Sequence, residues 1–385
     1  MRPYGNCPLD VEPDSSLWLK MSSDRPIMIY LVCAARPNFM KVAPLYWALR
    51  RVNRVRPVLV HTGQHYDVNM SDSFFQELRL PEPDVHLGVG SGTHAEQTGR
   101  VMMAFELVCL QERPDWVVVV GDVNSTMACT LVASKLGVKV AHVEAGLRSF
   151  DRTMPEEINR VVTDALANLL FTPSSDADEN LRREGIPEHK IRLVGNIMID
   201  TLLANLDRAR RSDLPAQLGL NEKAFAYVTL HRPSNVDNRD TLEQIMLELS
   251  SLAKRLPVVF PMHPRTRKML HEYGISMDGK PDLKLIDPIG YHDSICMIEM
   301  ARFVLTDSGG LQEESTYLGT PCLTLRPNTE RPITIEIGTN KLTRVDRLAE
   351  DVEEILNGRR PSGRIPPLWD GHTAERILVA LLEAL

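Results

Sequence analysis

The sequence predicts an α/β protein with two doubly wound parallel-sheet domains. Short apolar runs alternate with amphipathic segments of helical length; this alternation begins at Ile27, stops after about Asp200 and then starts again. The runs are apolar at successive positions, which is typical of strands that helices cover on both faces. A chain of 385 residues is long enough for two or three domains with cores of their own.

The first half of the chain contains a series of predicted strands, each a short run rich in β-branched and aliphatic residues. These strands are predicted at 27–33, 57–62, 116–121, 138–143, 169–172 and 191–194. Helices with an apolar face are predicted between them at 39–51, 124–136 and 155–167. Residues 1–26 are polar, contain proline and show no periodicity, so we expect a flexible extension there.

The second half repeats the pattern after an interval at 201–223, where a helix is followed by a polar stretch with Pro215 and Gly219. Strands are predicted at 224–230, 258–262, 283–286, 303–306 and 322–325, and helices at 242–255 and 311–318. The interval predicts a boundary between a first domain at 27–200 and a second domain at 201–365.

Composition excludes several classes of protein. Lys and Arg total 44 against 51 Asp and Glu, a net charge of −7, which indicates neither a nucleic-acid-binding nor an anionic-membrane surface. Apolar stretches fall far short of the roughly 18 residues that span a bilayer, and the N-terminus lacks the apolar core of a signal peptide. The six cysteines form no C-x-x-C pair, so we expect buried thiols in a cytoplasmic protein.

Three carboxylates of the first half follow strands, at the edge where doubly wound sheets bind ligands. Asp122 follows the strand at 116–121, Glu144 follows 138–143, and Glu156 lies in the segment that comes next. Crowded carboxylates raise one another's pKa, which suits proton abstraction and return near neutral pH. Each alone is more typical of a helix cap or a surface charge. Together they predict acid–base catalysis.

A second group of residues at strand ends predicts a phosphate site. Ser308, Gly309 and Gly310 open a helix directly after the strand at 303–306, so a phosphate can approach backbone N–H groups at the positive end of the helix dipole. Glu314, about one turn later, is placed to accept ribose hydroxyls. The basic candidates for substrate binding are Arg36, Lys41, Arg148 and Arg331. The simpler alternative is a capped helix with a solvated glutamate.

His231, which follows the strand at 224–230, is the histidine that we expect to act with the carboxylates. Neither His231 nor His263 has the spacing to Cys, Asp or another His that a zinc site needs, so we expect no metal. The glycine-rich segment at 88–92 follows a polar loop instead of a strand, which argues against a nicotinamide site. We therefore expect no cofactor.

Several segments around these residues carry a family resemblance. They are RPNFMKVAPL (36–45), TGQH (62–65), GDVNST (121–126), HVEAGLRS (142–149), PEEINR (155–160), HRPSNVDN (231–238), DSGGLQEE (307–314) and TERP (329–332). Together they resemble the non-hydrolysing UDP-N-acetylglucosamine 2-epimerases over about residues 27–341. The resemblance implies two Rossmann-like domains in a GT-B-like arrangement, with a UDP-sugar in the interdomain cleft. It also implies a homodimer, and a C-terminal helix at 366–385 that crosses back onto the first domain.

The resemblance further implies that UDP is eliminated across C1–C2 to give a 2-acetamidoglucal and is added back after the proton returns to C2 on the opposite face. This route would interconvert UDP-GlcNAc and UDP-ManNAc for surface polysaccharide. It suits the chemistry because no carbonyl lies next to C2, so the C2 proton is not acidic. The implied acid–base candidates are Asp122, Glu144 and Glu156, and which of them takes the proton stays open. The implied diphosphate, leaving-group and ribose contacts are His231, Arg36, Lys41, Arg331, Ser308, Gly309, Gly310 and Glu314.

Some features leave the substrate and its regulation open. Gln64 and Arg100 match positions near an allosteric UDP-GlcNAc site of bacterial members, but the loop after Gln64 differs in length from many of them. Ala34 stands where the family commonly has glycine, and Ser294 stands where many members have an aromatic residue that can stack on uracil. The alternatives are the same reaction on another UDP-2-acetamido sugar, a glycosyltransferase of the same architecture, or an inactive nucleotide-sugar-binding regulator.

Overall fold

The computed structural model describes residues 25–63, 77–276, 282–359 and 363–385. It contains two parallel sheets, one of seven strands and one of six. The predicted α/β class with two parallel sheets is therefore confirmed. The predicted extension at 1–26 lies almost entirely outside the described residues.

The first sheet has the strand order β3-β2-β1-β4-β5-β6-β7, and neighbouring strands pair in parallel. Its strands are β1 (Ile27–Cys33), β2 (Val55–His61), β3 (Val85–His86), β4 (Trp116–Val120), β5 (Lys139–Val143), β6 (Leu169–Thr172) and β7 (Ile191–Leu193). The strands predicted in this half are confirmed to within about two residues at either end. The two-residue β3 was not predicted, because it is too short to show a pattern.

The second sheet repeats this arrangement with the order β10-β9-β8-β11-β12-β13, again with parallel pairs. Its strands are β8 (Ala226–Thr229), β9 (Val258–Pro261), β10 (Leu283–Ile286), β11 (Phe303–Thr306), β12 (Cys322–Leu325) and β13 (Asn340–Thr343). The strands predicted here are also confirmed. The edge strand β13 was not predicted, since its sequence NKLT is mostly polar.

The helices lie between the strands, as a doubly wound sheet requires. They are α1 (Arg36–Arg50), α2 (His94–Gln111), α3 (Asn124–Lys135), α4 (Pro155–Leu166), α5 (Ser175–Arg183), α6 (Ile197–Ala209), α7 (Leu214–Gln217), α8 (Pro233–Val236), α9 (Arg239–Ala253), α10 (Pro264–Glu272), α11 (Tyr291–Met300), α12 (Gly309–Leu318), α13 (Ile333–Glu336), α14 (Leu348–Leu356) and α15 (Thr373–Glu383). The predictions omitted α2, although Thr93 and Glu96 form a reciprocal capping box at its start. Among the described helices, none combines the length and apolar character that crossing a membrane needs.

The central strand β1 shows why the runs are apolar throughout. Ile29 and Leu31 belong to the core cluster on one face of the first sheet, and Tyr30 and Val32 belong to the cluster on the other face. Successive side chains of a strand point to opposite faces, so a strand covered on both sides must be apolar at every position.

The two halves are connected through α6 and the C-terminal segment. Helix α6 packs against α1 of the first half and against α11 and α12 of the second, so the predicted boundary near residue 200 falls inside a helix. Helix α15 returns to pack on α1 and α6. The Asp200 carboxylate accepts hydrogen bonds from the Thr373 and Ala374 amides and so caps α15.

Candidate active site

Charged side chains from both sheets meet between the two halves of the molecule. Arg331 Nη2, which belongs to the second half, lies 3.8 Å from Glu144 Oε1 of the first. Arg160 Nη2 of the first half lies 3.4 Å from Glu330 Oε1 of the second. All four side chains are largely buried. These contacts mark the cleft in which the predicted site residues can be placed.

Lys41 of α1 and Glu144, which directly follows β5, form a buried ion pair. The Asn38 side chain positions the start of α1, because it accepts from the amides of Ala34 and Ala35 and donates to the Val120 carbonyl at 3.1 Å. Glu144 itself has a φ of +69°, a left-handed backbone conformation that residues other than glycine rarely adopt. Such backbone strain persists where the surroundings enforce it, as at catalytic sites.

Gly121 makes room for this ion pair. Its φ is +65°, and a Cβ atom at this position would lie 3.0 Å from Lys41 Nζ and 3.6 Å from Glu144 Oε2. A side chain here would crowd both charged groups as well as strain the turn. The turn that follows β4 therefore needs glycine for the lysine and the glutamate to meet.

A buried network beneath the site holds the turn in place. His142 Nε2 lies 2.8 Å from the Gly121 carbonyl oxygen, and His142 Nδ1 lies 2.6 Å from Asp164 Oδ1. Burial alone would raise the pKa of Asp164, but His142 and Arg148 lower it below its usual range. Arg148 Nη2 lies 2.7 Å from both Asp164 and Glu184. The structure thus places Arg148 in this scaffold and does not bring it to the predicted substrate contacts, because its guanidinium is already bound by two carboxylates.

Asp122 departs from the expectation that the carboxylates raise one another's pKa. Burial acts to raise the pKa of Asp122, but Arg160, Lys41 and Arg331 together lower it below its usual range. Arg160 donates to Asp122 Oδ2 from Nε at 3.1 Å and from Nη2 at 2.6 Å. The expectation is wrong for Asp122 because cations are interleaved with the carboxylates, a pattern that strand ends alone did not reveal.

Glu313, which pairs with Arg331, has a pKa raised above its usual range. Burial is the main cause, the charge of Glu144 adds to it, and Arg331 acts in the opposite direction. Arg331 Nε lies 2.7 Å from Glu313 Oε1. Glu313 was not among the predicted residues, although it belongs to the segment DSGGLQEE with the predicted Glu314.

His231 is oriented by Asp307, the residue directly after β11. The fully buried Asp307 carboxylate accepts from the backbone amides of His231 and Arg232, at 2.9 and 2.8 Å, and from the Asn235 side chain at 3.0 Å. Its Oδ1 also lies 3.0 Å from His231 Nδ1. Since the Nδ1 edge of the ring is engaged, Nε2 is the nitrogen that remains for a ligand.

Ser308, Gly309 and Gly310 form the start of α12, as predicted, with Ser308 at the N-cap. A Cβ atom on Gly309 would lie 2.7 Å from Arg331 Nη1, so glycine allows the arginine to pack over this turn. Glu314 is buried in the same helix. Burial raises its pKa to about 8, while the Tyr291 hydroxyl lowers it and Glu313 raises it further.

The remaining predicted residues lie in different surroundings. Glu156 is half-buried in the first turn of α4, and its charge acts on Arg232. Arg100 lies on the exposed side of α2, 4.0 Å from Glu96. Gln64 and the side chain of Arg36 lie outside the described residues. In the described part of the chain, no three His, Cys, Asp or Glu side chains are grouped so that they could hold a metal ion.

Comparison with known proteins connects this site to one family. Residues 47–382 match the family model for UDP-N-acetylglucosamine 2-epimerase. The UDP-N-acetylglucosamine 2-epimerase of Methanocaldococcus jannaschii is 43% identical over 365 residues, which cover 90% of this chain and 97% of that protein. A Pseudomonas aeruginosa UDP-2,3-diacetamido-2,3-dideoxy-D-glucuronate 2-epimerase is 39% identical, covering 88% of this chain and 98% of that protein.

A solved structure shows the same relationship. The crystal structure of the M. jannaschii enzyme in complex with UDP-GlcNAc and UDP superimposes with a TM-score of 0.84 at 42% identity. The match covers 93% of this chain and 100% of the M. jannaschii chain. The predicted GT-B-like arrangement of two domains is thereby confirmed.

Proposed function

Because this chain belongs to the UDP-N-acetylglucosamine 2-epimerase family, we propose that it interconverts UDP-GlcNAc and UDP-ManNAc without releasing free sugar. The observation that carries the proposal is the cleft itself. Carboxylates lie at one sheet edge, an oriented histidine and a glycine-opened helix lie at the other, and Arg331 joins the two edges. This arrangement supports proton transfer at the first edge and phosphate binding at the second, which elimination of a diphosphate requires.

The reaction proceeds by elimination and re-addition. The bond between C1 and the diphosphate oxygen breaks, the C2 proton passes to a carboxylate, and a C1–C2 double bond forms. A second carboxyl group then delivers a proton to the opposite face of C2 while a diphosphate oxygen bonds C1 again, and the first carboxyl group gives up its proton to solvent. Atoms and charges balance without an oxidant or reductant.

The residues divide this work between them. Asp122, whose pKa is lowered by Arg160, Lys41 and Arg331 against the effect of burial, stays ionised at neutral pH and accepts the C2 proton. Glu144 and Glu156 are the candidates that deliver the proton to the other face. The departing diphosphate is held by Lys41, His231, Arg331 and the first amides of α12, formed by Ser308, Gly309 and Gly310.

Proton NMR in deuterated water tests the proposal. Incubation with UDP-GlcNAc should place deuterium at C2 and produce a growing UDP-ManNAc signal, because the proton returned to C2 comes from a group that exchanges with solvent. Exclusive formation of free N-acetylmannosamine and UDP would overturn the non-hydrolysing assignment. Absence of C2 exchange with UDP-GlcNAc would overturn the proposed substrate.

A second candidate substrate has support from one relative. The P. aeruginosa protein that is 39% identical acts, by its name, on UDP-2,3-diacetamido-2,3-dideoxy-D-glucuronate. The same elimination can operate on any UDP-2-acetamido sugar, since it needs only C1, C2 and the diphosphate. Parallel incubations with the two nucleotide sugars distinguish them by their relative kcat/KM.

The enzyme acts as a homodimer through helices α2 and α4. Met103, Leu107 and Leu110 form an apolar stripe along α2, each more than 60% exposed. Ile158 and Leu166 are exposed on α4, and a cavity of 590 Å³ lies between the helices. Exposed apolar side chains in this number on one side of the molecule are typical of a subunit interface.

Replacing Leu107 with lysine should convert the dimer to a monomer, because a charge would be desolvated at the centre of that surface. Sedimentation velocity measures the change. Leu247→Lys is the matched control: Leu247 is 62% exposed, as Leu107 is, but lies on α9 of the other half. A monomeric parent protein, or a Leu107→Lys variant that sediments as its parent does, would contradict this interface.

We place the enzyme in the cytoplasm, where it supplies UDP-ManNAc for surface polysaccharide. The support is the state of the cysteines. Those in the described residues are buried and unpaired: Cys33, Cys109, Cys129, Cys296 and Cys322. Free thiols in this number suit a reducing compartment.

A further inference from the structure

Arg160 joins carboxylates from three separate segments with one guanidinium group. It donates to Asp122 Oδ2 at 2.6 and 3.1 Å, to Glu157 Oε2 at 2.7 Å, and across the cleft to Glu330 Oε1 at 3.4 Å. The side chain is almost fully buried, at 4% exposure. Arg160 was not among the predicted residues, because it lies inside α4 and not at a strand end.

We propose that Arg160 is a positioning residue, which orients Asp122 toward the substrate and links it to the second half of the molecule through Glu330. The proposal rests on the proposed function and adds Arg160 to it as a residue that acts through Asp122. Arg160 itself need not touch the sugar or the diphosphate.

The hydrogen-bond pattern supports this role. Nε and Nη2 of Arg160 both donate to Oδ2 of Asp122, which leaves Oδ1 as the oxygen that can take a substrate proton. The backbone of Asp122 is held without help from Arg160, because the Asn159 side chain donates to the Asp122 carbonyl oxygen at 2.9 Å. A planar guanidinium with two donors in fixed directions holds a carboxylate more narrowly than an ammonium group can.

The other two carboxylates do not depend on Arg160 in the same way. Glu157 accepts from the Ser149 amide and hydroxyl and from the Phe150 amide, at 2.9 to 3.0 Å. Glu330 accepts from Arg326 at 2.9 and 3.0 Å. Within the described residues, Arg160 is the one side chain that donates a hydrogen bond to the Asp122 carboxylate. Loss of Arg160 should therefore release Asp122 selectively.

The electrostatics agree with the geometry. Three cations face Asp122, namely Arg160, Lys41 and Arg331, and they lower its pKa against the opposing effect of burial. Among these cations Arg160 contributes most. Replacing Arg160 with a neutral residue should therefore raise the pKa of Asp122, so that Asp122 loses its charge at a higher pH than in the parent enzyme.

The experiment compares the pH dependence of kcat/KM for the parent enzyme, Arg160→Gln and Arg160→Lys. In Arg160→Gln the acidic limb should move up by about one pH unit or more, and kcat should fall roughly tenfold or more with less change in KM. Arg160→Lys should recover most of the pH shift but only part of kcat, since lysine restores the charge without the two-donor geometry. An acidic limb that coincides with that of the parent in both variants would overturn the proposal.

Two further measurements separate this proposal from its premises. Arg182→Gln removes a comparable arginine–carboxylate pair, with Glu188, from the surface of α5 and should leave the profile in place. NMR titration of ¹³C-labelled aspartate carboxylates, with Asp122→Asn to identify the signal, follows Asp122 without any turnover. If the parent enzyme lacks C2 exchange, the proposed function fails, while the titration still decides whether Arg160 controls Asp122. If Arg160→Gln does not fold, Arg160→Lys must still lower kcat, or the proposal fails.

Discussion

The two sheets share one topology but build opposite kinds of surface at their carboxyl edges. Strand β4 lies beside β1 in the first sheet, and β11 occupies the same place beside β8 in the second. Each is followed by an aspartate, Asp122 and Asp307. The Asp122 side chain is 30% exposed and is bound by an arginine, whereas Asp307 is fully buried and is bound by backbone amides.

This difference shows that the donors around a carboxylate, and not its place in the fold, decide what it does. Cations hold Asp122 charged while part of its surface still faces the cleft, so it remains available to a substrate. The Asp307 carboxylate accepts hydrogen bonds from the His231 and Arg232 amides and from the Asn235 side chain. These bonds fix the turn that contains His231. We therefore propose that proton transfer belongs to the first edge and orientation of His231 to the second.

The largest expected effect comes from removing the charges of the first edge. Asp122→Asn and Glu144→Gln should each lower kcat by about 10²–10⁴, because they delete proton-transfer groups while keeping side-chain shape. UDP affinity, measured by isothermal titration, should stay within about threefold of the parent value, since the phosphate contacts belong mostly to the other edge. Glu188→Gln, a surface variant, serves as control. Equal losses of kcat and UDP affinity would contradict the proposed division of proton transfer and diphosphate binding between the two edges.

The matching change at the second edge should act on stability and on KM. Asp307→Asn keeps the shape but turns an acceptor of several hydrogen bonds into a group that also donates, facing the His231 and Arg232 amides. Unfolding in urea should show a loss of about 1–3 kcal/mol. KM should rise because His231 loses its orientation. If Asp307→Asn instead lowered kcat as Asp122→Asn does, without loss of stability, the two aspartates would be equivalent after all.

The sequence predicted both sheets because buried parallel strands leave a strong apolar signal. It also predicted that Asp122 and Glu144 lie close to Lys41 at one sheet edge, as the structure shows, since residues after strands of a doubly wound sheet must lie at that edge. Strand-end position says nothing about partners, however. Arg148 points inward to Asp164. Arg160 and Glu313 were missed because their roles rest on ion pairs with Asp122 and Arg331, which their positions in the sequence do not reveal.

The pattern of ion pairs could not be predicted for a related reason. The contacts of Arg160 and Arg331 join segments far apart in the sequence, and they form only once the two halves pack together. The low pKa of Asp122 depends on Arg160 and Lys41 of the first half and on Arg331 of the second, so reasoning from neighbouring carboxylates alone gave the wrong direction.

The last effect concerns Glu314, a buried carboxylate of the second edge that is not held by cations as Asp122 is. Burial raises its pKa to about 8, against 4.5 for a glutamate in an unfolded chain. Between these values the folded protein binds more protons than the unfolded one, so Glu314 makes stability fall as pH rises, by at most about 1.4 kcal/mol per pH unit.

Glu314→Gln should remove this slope, so that the free energy of unfolding changes less between pH 5.5 and 8 than in the parent. Denaturation in urea at several pH values measures it. Glu188→Gln replaces an exposed glutamate whose pKa is lowered by its hydrogen bond to Arg182, and it should leave the slope unchanged over this range. A Glu314→Gln curve parallel to that of the parent would show that burial without a cation does not keep Glu314 protonated. The contrast between the edges would then rest on Asp122 and Asp307 alone.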